Sequence, residues 1–317
     1  MSKNKVLVCG ATGFIGRNIA EYLSKRKEFE VHGTYFNSPP YKHEQIELMR
    51  ADLTDRLDVE RVIKDKDIII QMAANTSGAG KTTTTPHIHV TDNAVMNSLL
   101  LRAAFDNKVK HFIFPSSGTV YPSSDTPIKE TGRIDINPVY YGSAHTKLYI
   151  EKMCEFFSSQ GRTKHTVLRQ SNVYGPHDKF DLERSHVFGA TLTKVIKAKD
   201  GDSIKVWGTG EEKRDLLYIS DLVKLIEEVI DKQDSTFELF NVGFGAMISV
   251  GELVEKVIKF SGKRLKIEYD QSKPTIKINL ALDSTKARNF FDWSPKISLE
   301  EGIKKTIRWY KKNIMPD

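Results

Sequence analysis

Three glycines, Gly10, Gly13 and Gly16, punctuate the segment VLVCGATGFIGRNIAEYL. A short apolar run ending at Cys9 precedes them, and a run with Ile15, Ile19 and Leu23 on one helical face follows. Glycines at this spacing, at a strand-to-helix junction, constrain the chain more than any other feature. Gly10 permits a turn too tight for a side chain, Gly13 lets a pyrophosphate approach the backbone, and Gly16 lets the helix pack closely on the strand. The helix start then offers unpaired N–H groups and the positive end of its dipole to an anion. Gly10, Thr12, Gly13, Phe14, Ile15, Gly16 and Arg17 are therefore expected to hold a dinucleotide. A glycine-rich turn with no ligand is the alternative.

Strand-like and helix-like runs alternate along the rest of the first half. EVHGTYF, DIIIQMAA, HFIFPSS and HTVLRQSNVYG read as strands; LDVERVIKD, TDNAVMNSLLLRAAFDN and AHTKLYIEKMCEFFSSQ read as helices. Strands separated by helices make a parallel sheet covered on both faces, with right-handed crossovers. The expected fold is α/β: a doubly wound parallel Rossmann sheet with a smaller, discontinuous C-terminal substrate-binding lobe. The pattern loosens after Pro176, where a polar loop over 178–185 precedes the helix-like VFGATLTKVIKAK. DLLYIS and FELFNVG are strand-like again around the helix DLVKLIEEVID. A dinucleotide-binding domain over 1–176 and 212–245 and a substrate lobe over 177–211 and 246–317 are expected, with a cleft at the strand C-termini and Trp207 packed inside the lobe.

Composition narrows the setting. A chain of 317 residues, 39% apolar and 28% charged, suits a soluble globular protein. The net charge of +7 could signal nucleic acid, but basic residues interleave with acids, as in EGIKKTIRWYKKN. The excess reads as solvated surface with some help for an anionic substrate, so no nucleic-acid partner is expected. Two cysteines, Cys9 and Cys154, make neither a disulfide framework nor a four-ligand zinc site; no metal is expected, and the compartment is a reducing cytoplasm. The apolar run before Gly10 is too short for a signal-peptide core, and 67–74 is far below a membrane span, so no membrane partner is expected. SGAGKTTTT around Lys81 imitates a phosphate loop, but the glycine required six positions before the lysine is Asn75. That segment reads instead as a loop beside the nicotinamide or substrate.

At the end of the second predicted strand an acid would bond the ribose 2′-hydroxyl of NAD. Tyr35, Phe36 and Asn37 stand there, with Arg17, Lys42 and His43 nearby, which favours NADP(H). Asp52, with Leu53 beside it, is either an adenine contact or a turn and helix cap.

Further segments follow in order: IIQMAAN at 69–75, FPSSGTVYP at 114–122, SNVYGPHDKFD at 171–181, VWGTGEEKRDLLYISDL at 206–222 and PKISLEEGIKKTIRWYKKN at 295–313. Over nearly its whole length the chain resembles the extended short-chain dehydrogenase/reductase family of nucleotide-sugar epimerases, dehydratases and reductases. DNAVMNSLLLRAAFDN and YGPHDKFDLERSHVFGA are most similar to its GDP-fucose synthase-like members. The resemblance implies an NAD(P)(H) cofactor, hydride transfer at C4 of a nucleotide-diphosphate sugar, GDP-linked, and a cytoplasmic homodimer formed through two long helices. It sets Ala73 and Ala74 beside the cofactor and makes Ser117 the hydroxyl that orients the substrate oxygen. Lys147 becomes the lysine that holds the nicotinamide ribose, supported by Glu151 one turn on. His177 becomes a proton carrier during epimerisation, Arg214 the grip on the diphosphate, and Asn172 and Lys194 further substrate contacts.

The family's acid/base tyrosine breaks this pattern. It stands four residues before the lysine, and here that position is Ser143; Tyr140 and Tyr141 lie seven and six residues before Lys147. At about 100° per residue a six-residue step turns roughly 240°, so Tyr141 and Lys147 do not share a face of a regular helix. Either a loop carries Tyr141 into the site, or the usual acid/base is absent and Ser143, His145 or water serves; His145 faces away from Lys147. These residues do not choose between reduction, oxidation, epimerisation and dehydration; 4-dehydrogenation or 4-reduction is expected, with C4 epimerisation next. A non-catalytic NAD(P)-binding regulatory subunit is the rival, favoured by the displaced tyrosine and opposed by the joint presence of Ser117, Lys147 and His177.

Overall fold

The computed structural model describes residues 3–76, 84–182, 184–273 and 275–315; the segment 77–83, which contains Lys81, lies outside them. Its strands are β1 (Asn4–Cys9), β2 (Phe29–Tyr35), β3 (Ile46–Arg50), β4 (Ile68–Gln71), β5 (His111–Ser117), β6 (Lys164–Gln170), β7 (Asn172–Tyr174), β8 (Ser203–Trp207), β9 (Lys213–Tyr218), β10 (Phe237–Val242), β11 (Met247–Ser249) and β12 (Lys266–Asp270). Its helices are α1 (Phe14–Leu23), α2 (Arg56–Ile63), α3 (Thr91–Asp106), α4 (Tyr141–Ser159), α5 (Val187–Lys197), α6 (Ile219–Lys232), α7 (Val250–Ser261), α8 (Thr285–Phe291) and α9 (Leu299–Ile314).

Seven strands form one parallel sheet in the order β10-β6-β5-β4-β1-β2-β3. The order reverses at β1, the topological switch of a doubly wound fold, so the expected Rossmann-type sheet is present. Period-two alternation on β1 sorts its side chains to two covered faces. Val6 and Val8 pack with Ile19 and Leu23 of α1 and Ile226 of α6. Leu7 and Cys9 pack on the other face with Val62 of α2, Leu100 of α3, and Ile150 and Cys154 of α4. A strand buried on both sides must be apolar throughout, which is why KVLVC reads so clearly.

Two expectations need correction. HTVLRQSNVYG is not one strand: after β6 the chain leaves the main sheet at Ser171, and β7 joins a three-stranded sheet in the order β11-β9-β7. The strand part of DLLYIS, Asp215–Tyr218 of β9, lies in that small sheet too, and only β10 returns to the edge of the large one. Asp215 of β9 anchors the junction. Its fully buried carboxylate accepts the N–H groups of Phe244 (2.8 Å), Gly245 (3.2 Å) and Leu282 (3.1 Å). Burial still pushes its pKa up, to about 6. The second correction concerns Trp207. Along β8, Ile204 and Val206 point inward, so Trp207 falls on the outer face and stays 39% exposed rather than packed. Among the described residues no helix is long and apolar enough to cross a membrane.

Candidate functional site

The chain turns out of β1 at Gly10, in the left-handed region (φ +71°), where a Cβ would stand 2.8 Å from the Ala73 backbone. A Cβ on Gly16 would lie 2.3 Å from the Gly10 carbonyl oxygen. Both glycines are therefore required by backbone-to-backbone contact. Thr34 of β2 secures the turn: Gly10 N–H donates to its Oγ1 (3.0 Å) and Ala11 N–H to its carbonyl (2.8 Å). α1 begins at Phe14 without a side-chain cap and without an acid in its first turn. The N–H groups of Phe14, Ile15 and Gly16 accordingly have no partner within the helix, and that end favours an anion. Thr12 is half-buried and Gly13 exposed beside it. This cradle, which side chains would fill, fits the pyrophosphate of a dinucleotide.

At the neighbouring strand ends, Phe36 is 43% exposed and Asn37 is exposed. Arg17 is engaged elsewhere: its guanidinium lies 4.1 Å over the Tyr41 ring, and its Nε donates to Glu21 at 2.7 Å. Asp52 forms the turn that sequence offered as one alternative, its Oδ1 accepting from Thr54 N–H (2.9 Å) and Thr54 Oγ1 (2.6 Å); the cap of α2 is Asp55. Leu53 is buried. Ala73 is half-buried, with its N–H on the Gln71 side chain, and Ala74 is exposed.

Ser117 and Lys147 come together at the C-terminal end of β5. Ser117 Oγ accepts from Thr119 N–H (3.2 Å) and from Thr119 Oγ1 (3.0 Å). Lys147 Nζ donates to the Pro115 carbonyl at 2.6 Å and lies 4.8 Å over the Phe114 ring. Burial pulls the Lys147 pKa down to about 8, against the opposing pull of the Glu151 charge. Glu151 itself, 4% exposed, accepts from Ser116 Oγ, from Arg169 Nε (3.0 Å) and from Arg169 Nη2 (2.6 Å). Arg169 also donates to Tyr121 Oη (2.7 Å), which donates to Asn241 (3.0 Å). One buried network thus ties the end of β5 to α4, β6 and β10.

Tyr141 is the first residue of α4, so the loop arrangement is not adopted. It is 65% exposed, its ring 4.5 Å from that of His145, on the helix face away from Lys147. Ser143 Oγ donates to the Tyr140 carbonyl (3.1 Å). Tyr140 is the residue that sequence reasoning passed over. It packs with Val120, Tyr121, Ala144 and Leu282, and Arg214 bears on its phenol electrostatically, though burial raises the phenol's pKa more than Arg214 lowers it.

The remaining expected residues are dispersed. His177, at φ +68°, rests its ring 4.7 Å from Trp309 with Nε2 3.7 Å from Glu21, not beside Ser117. His177 and then Arg17 hold the Glu21 carboxyl down near a pKa of about 2. Arg214 donates to the carbonyls of Ile278, Ile276 (2.8 Å) and Lys213 (3.0 Å). Asn172 donates to the Asp215 carbonyl (3.3 Å). Lys194 donates to the Lys205 carbonyl (2.8 Å) and lies 5.7 Å over the Trp207 ring. Among the described residues no group of three or more His, Cys, Asp or Glu is placed to hold a metal ion.

A glycine cradle at the switch point of a doubly wound sheet is the arrangement of a dinucleotide-dependent α/β enzyme. Over residues 6–243 the sequence matches the NAD dependent epimerase/dehydratase family, and the chain belongs to it. It is 31% identical over 274 residues to the GDP-L-fucose synthase of Sinorhizobium fredii, covering 84% of this chain and 86% of the relative. It is 29% identical over 316 residues to the GDP-L-colitose synthase of Yersinia pseudotuberculosis, covering 96% and 97%. The crystal structure of UDP-glucose 4-epimerase from Thermotoga maritima with UDP-glucose superimposes with a TM-score of 0.88 at 26% identity, covering 98% of this chain and 99% of that one. The family read from the motifs is thereby confirmed.

Proposed function

We propose that this protein is an NAD(P)-dependent enzyme that moves hydride at C4 of a nucleotide-diphosphate sugar, GDP-linked, as a 4-reductase or dehydrogenase, with C4 epimerisation the nearest rival. The observation that carries the reading is that Ser117 ends β5 and Lys147 of α4 reaches the Pro115 carbonyl of the same strand, two strands from the glycine cradle on β1 and at the same C-terminal edge. The relatives' names support the sugar nucleotide: two act on GDP-linked sugars by name, and the superimposed epimerase carries a UDP-sugar. Gly10, Thr12, Gly13, Phe14, Ile15 and Gly16 would hold the pyrophosphate, with Asn37, Asp52, Leu53, Ala73 and Ala74 along the rest of the cofactor. The bound nicotinamide supplies or accepts the hydride. Lys147 would donate from its ammonium to the ribose hydroxyls, Ser117 would orient the sugar oxygen, and Arg214, Asn172 and Lys194 would reach the diphosphate by exchanging their present carbonyl partners for it. Tyr141 reaches the sugar only if the first turn of α4 unwinds, and His177 only if it leaves Glu21. The family affiliation supports NAD(H) as the cofactor class; the missing acid at 35–37 favours NADP(H).

Purified protein should bind reduced nicotinamide dinucleotide and change its absorbance with a GDP-linked 4-keto- or 4-hydroxy-sugar. Lys147→Met should lower kcat/KM about 100-fold or more, whereas Tyr141→Phe should stay within about threefold of the parent. Because Lys147 is charged only below a pKa of about 8, cofactor affinity should fall as pH rises past that value. No binding of NADH or NADPH would sink the reading. Binding without turnover of any sugar nucleotide would favour the regulatory subunit instead, to which the outward Tyr141 already lends support.

A homodimer belongs to the same proposal. α3 and α4 lie side by side, and Val95, Tyr141, Tyr149 and Phe156 are 40–65% exposed on them. On α4 the last three fall within about 80° of one another, an apolar stripe suited to a second copy. Phe156→Asp should halve the mass seen by light scattering, and a monomeric parent would refute the dimer. Cytoplasmic residence agrees with Cys9 and Cys154, both free and buried. The division into 1–176 with 212–245 and 177–211 with 246–317 assigns cofactor and sugar to different parts of the chain.

A further inference from the structure

We infer that Arg50 reads the phosphate on the cofactor's adenosine ribose and so selects NADPH over NADH. The inference rests on the dinucleotide reading above. β2 and β3 are parallel neighbours, and Tyr35 pairs in register with Arg50 at their C-terminal ends. Gly33, two residues before Tyr35, shows which face is involved. A Cβ there would lie 2.4 Å from Ala11 Cβ of the glycine turn and 2.8 Å from Leu48 Cδ2. Leu48 and Arg50 are two residues apart on β3, so Arg50 continues that same face, the one carrying the cradle.

Arg50 is exposed, and its guanidinium lies 5.7 Å over the Phe36 ring, directly after the strand end where an acid would select NAD. Among the described residues its guanidinium makes no hydrogen bond or ion pair. Asp58 bears on it electrostatically, but that carboxylate already serves Arg61 and the Asp52 N–H (2.8 Å). Arg17, which the sequence nominated for this task together with Lys42 and His43, is held by Glu21 and Tyr41. A ribose 2′-hydroxyl would find no carboxylate acceptor at 35–37. A 2′-phosphate dianion would meet an uncommitted guanidinium fork resting on an aromatic ring.

The test is equilibrium titration of the full chain with NADPH and with NADH, followed by nicotinamide fluorescence. The parent should bind NADPH at least about tenfold tighter, the range of one charge-assisted contact. Arg50→Gln, on an exposed site, should erase most of that preference and leave NADH within about twofold, and its melting temperature reports that the fold is intact. Equal or tighter binding of NADH by the parent overturns the inference. So does an equal loss for both nucleotides in Arg50→Gln, which would mean adenine stacking. Either result leaves the proposed function standing; failure of both nucleotides to bind overturns the two together.

Discussion

Gly16→Ala should raise the Kd for NADPH and NADH by about 100-fold or more and cost about 1–3 kcal/mol of stability. The added methyl would meet the Gly10 carbonyl oxygen at 2.3 Å and its carbon at 2.9 Å, and neither is a flexible side-chain end. α1 must therefore lift from the end of β1, and the unpaired N–H groups move with it. Gly13→Ala makes the contrast. Its Cβ meets only the Gly10 oxygen, at 3.3 Å, so stability should change by about 0.5 kcal/mol at most while phosphate binding still suffers. Denaturant unfolding and fluorescence titration separate the two effects. Parental affinity in Gly16→Ala would remove the cradle from the mechanism.

The second large effect is expected at the Glu151–Arg169 pair. Both residues are buried, at 4% and 6% exposure, and joined by two hydrogen bonds. Removing one partner strands the other's charge in the interior, at about 3–5 kcal/mol. Glu151→Ala and Arg169→Leu should each show that loss in denaturant unfolding, and the double variant should lose clearly less than the sum. Glu151 also raises the Lys147 pKa. In Glu151→Gln, which keeps the shape, Lys147 should lose its proton at a lower pH, moving the alkaline limb of cofactor binding downward from about 8. Additive stability losses together with an unmoved limb would show that the network does not hold the site.

Much of this was legible in the sequence for local reasons. The cradle needs only a strand, three glycines and a helix in succession, and the sheet follows from apolar runs broken by amphipathic ones. Trp207 was legible too, since S-I-K-V-W alternates and puts the tryptophan outward with the lysine, but the residue type drew attention ahead of its phase. The Tyr141 offset marked a difficulty correctly without showing where α4 begins, because a backbone start is set by tertiary contacts as well as by propensity. His177 could not be placed: its partners Glu21 and Trp309 are remote in the chain, and nothing local announces them. Arg50 was invisible for the same reason, because its meaning comes from a register with Tyr35 across a strand pair.

Asp215 has a consequence for how the protein is made. Its acceptor oxygens are satisfied by Phe244, Gly245 and Leu282, which leave the ribosome in turn, the last of them well after β10 has been synthesised. Until Leu282 emerges, a carboxylate at the junction of the two larger sheets lacks a donor and draws in water. The nascent chain therefore seals the seam between its two larger sheets late, and the closing act of folding falls to a segment beyond the span that marks the family.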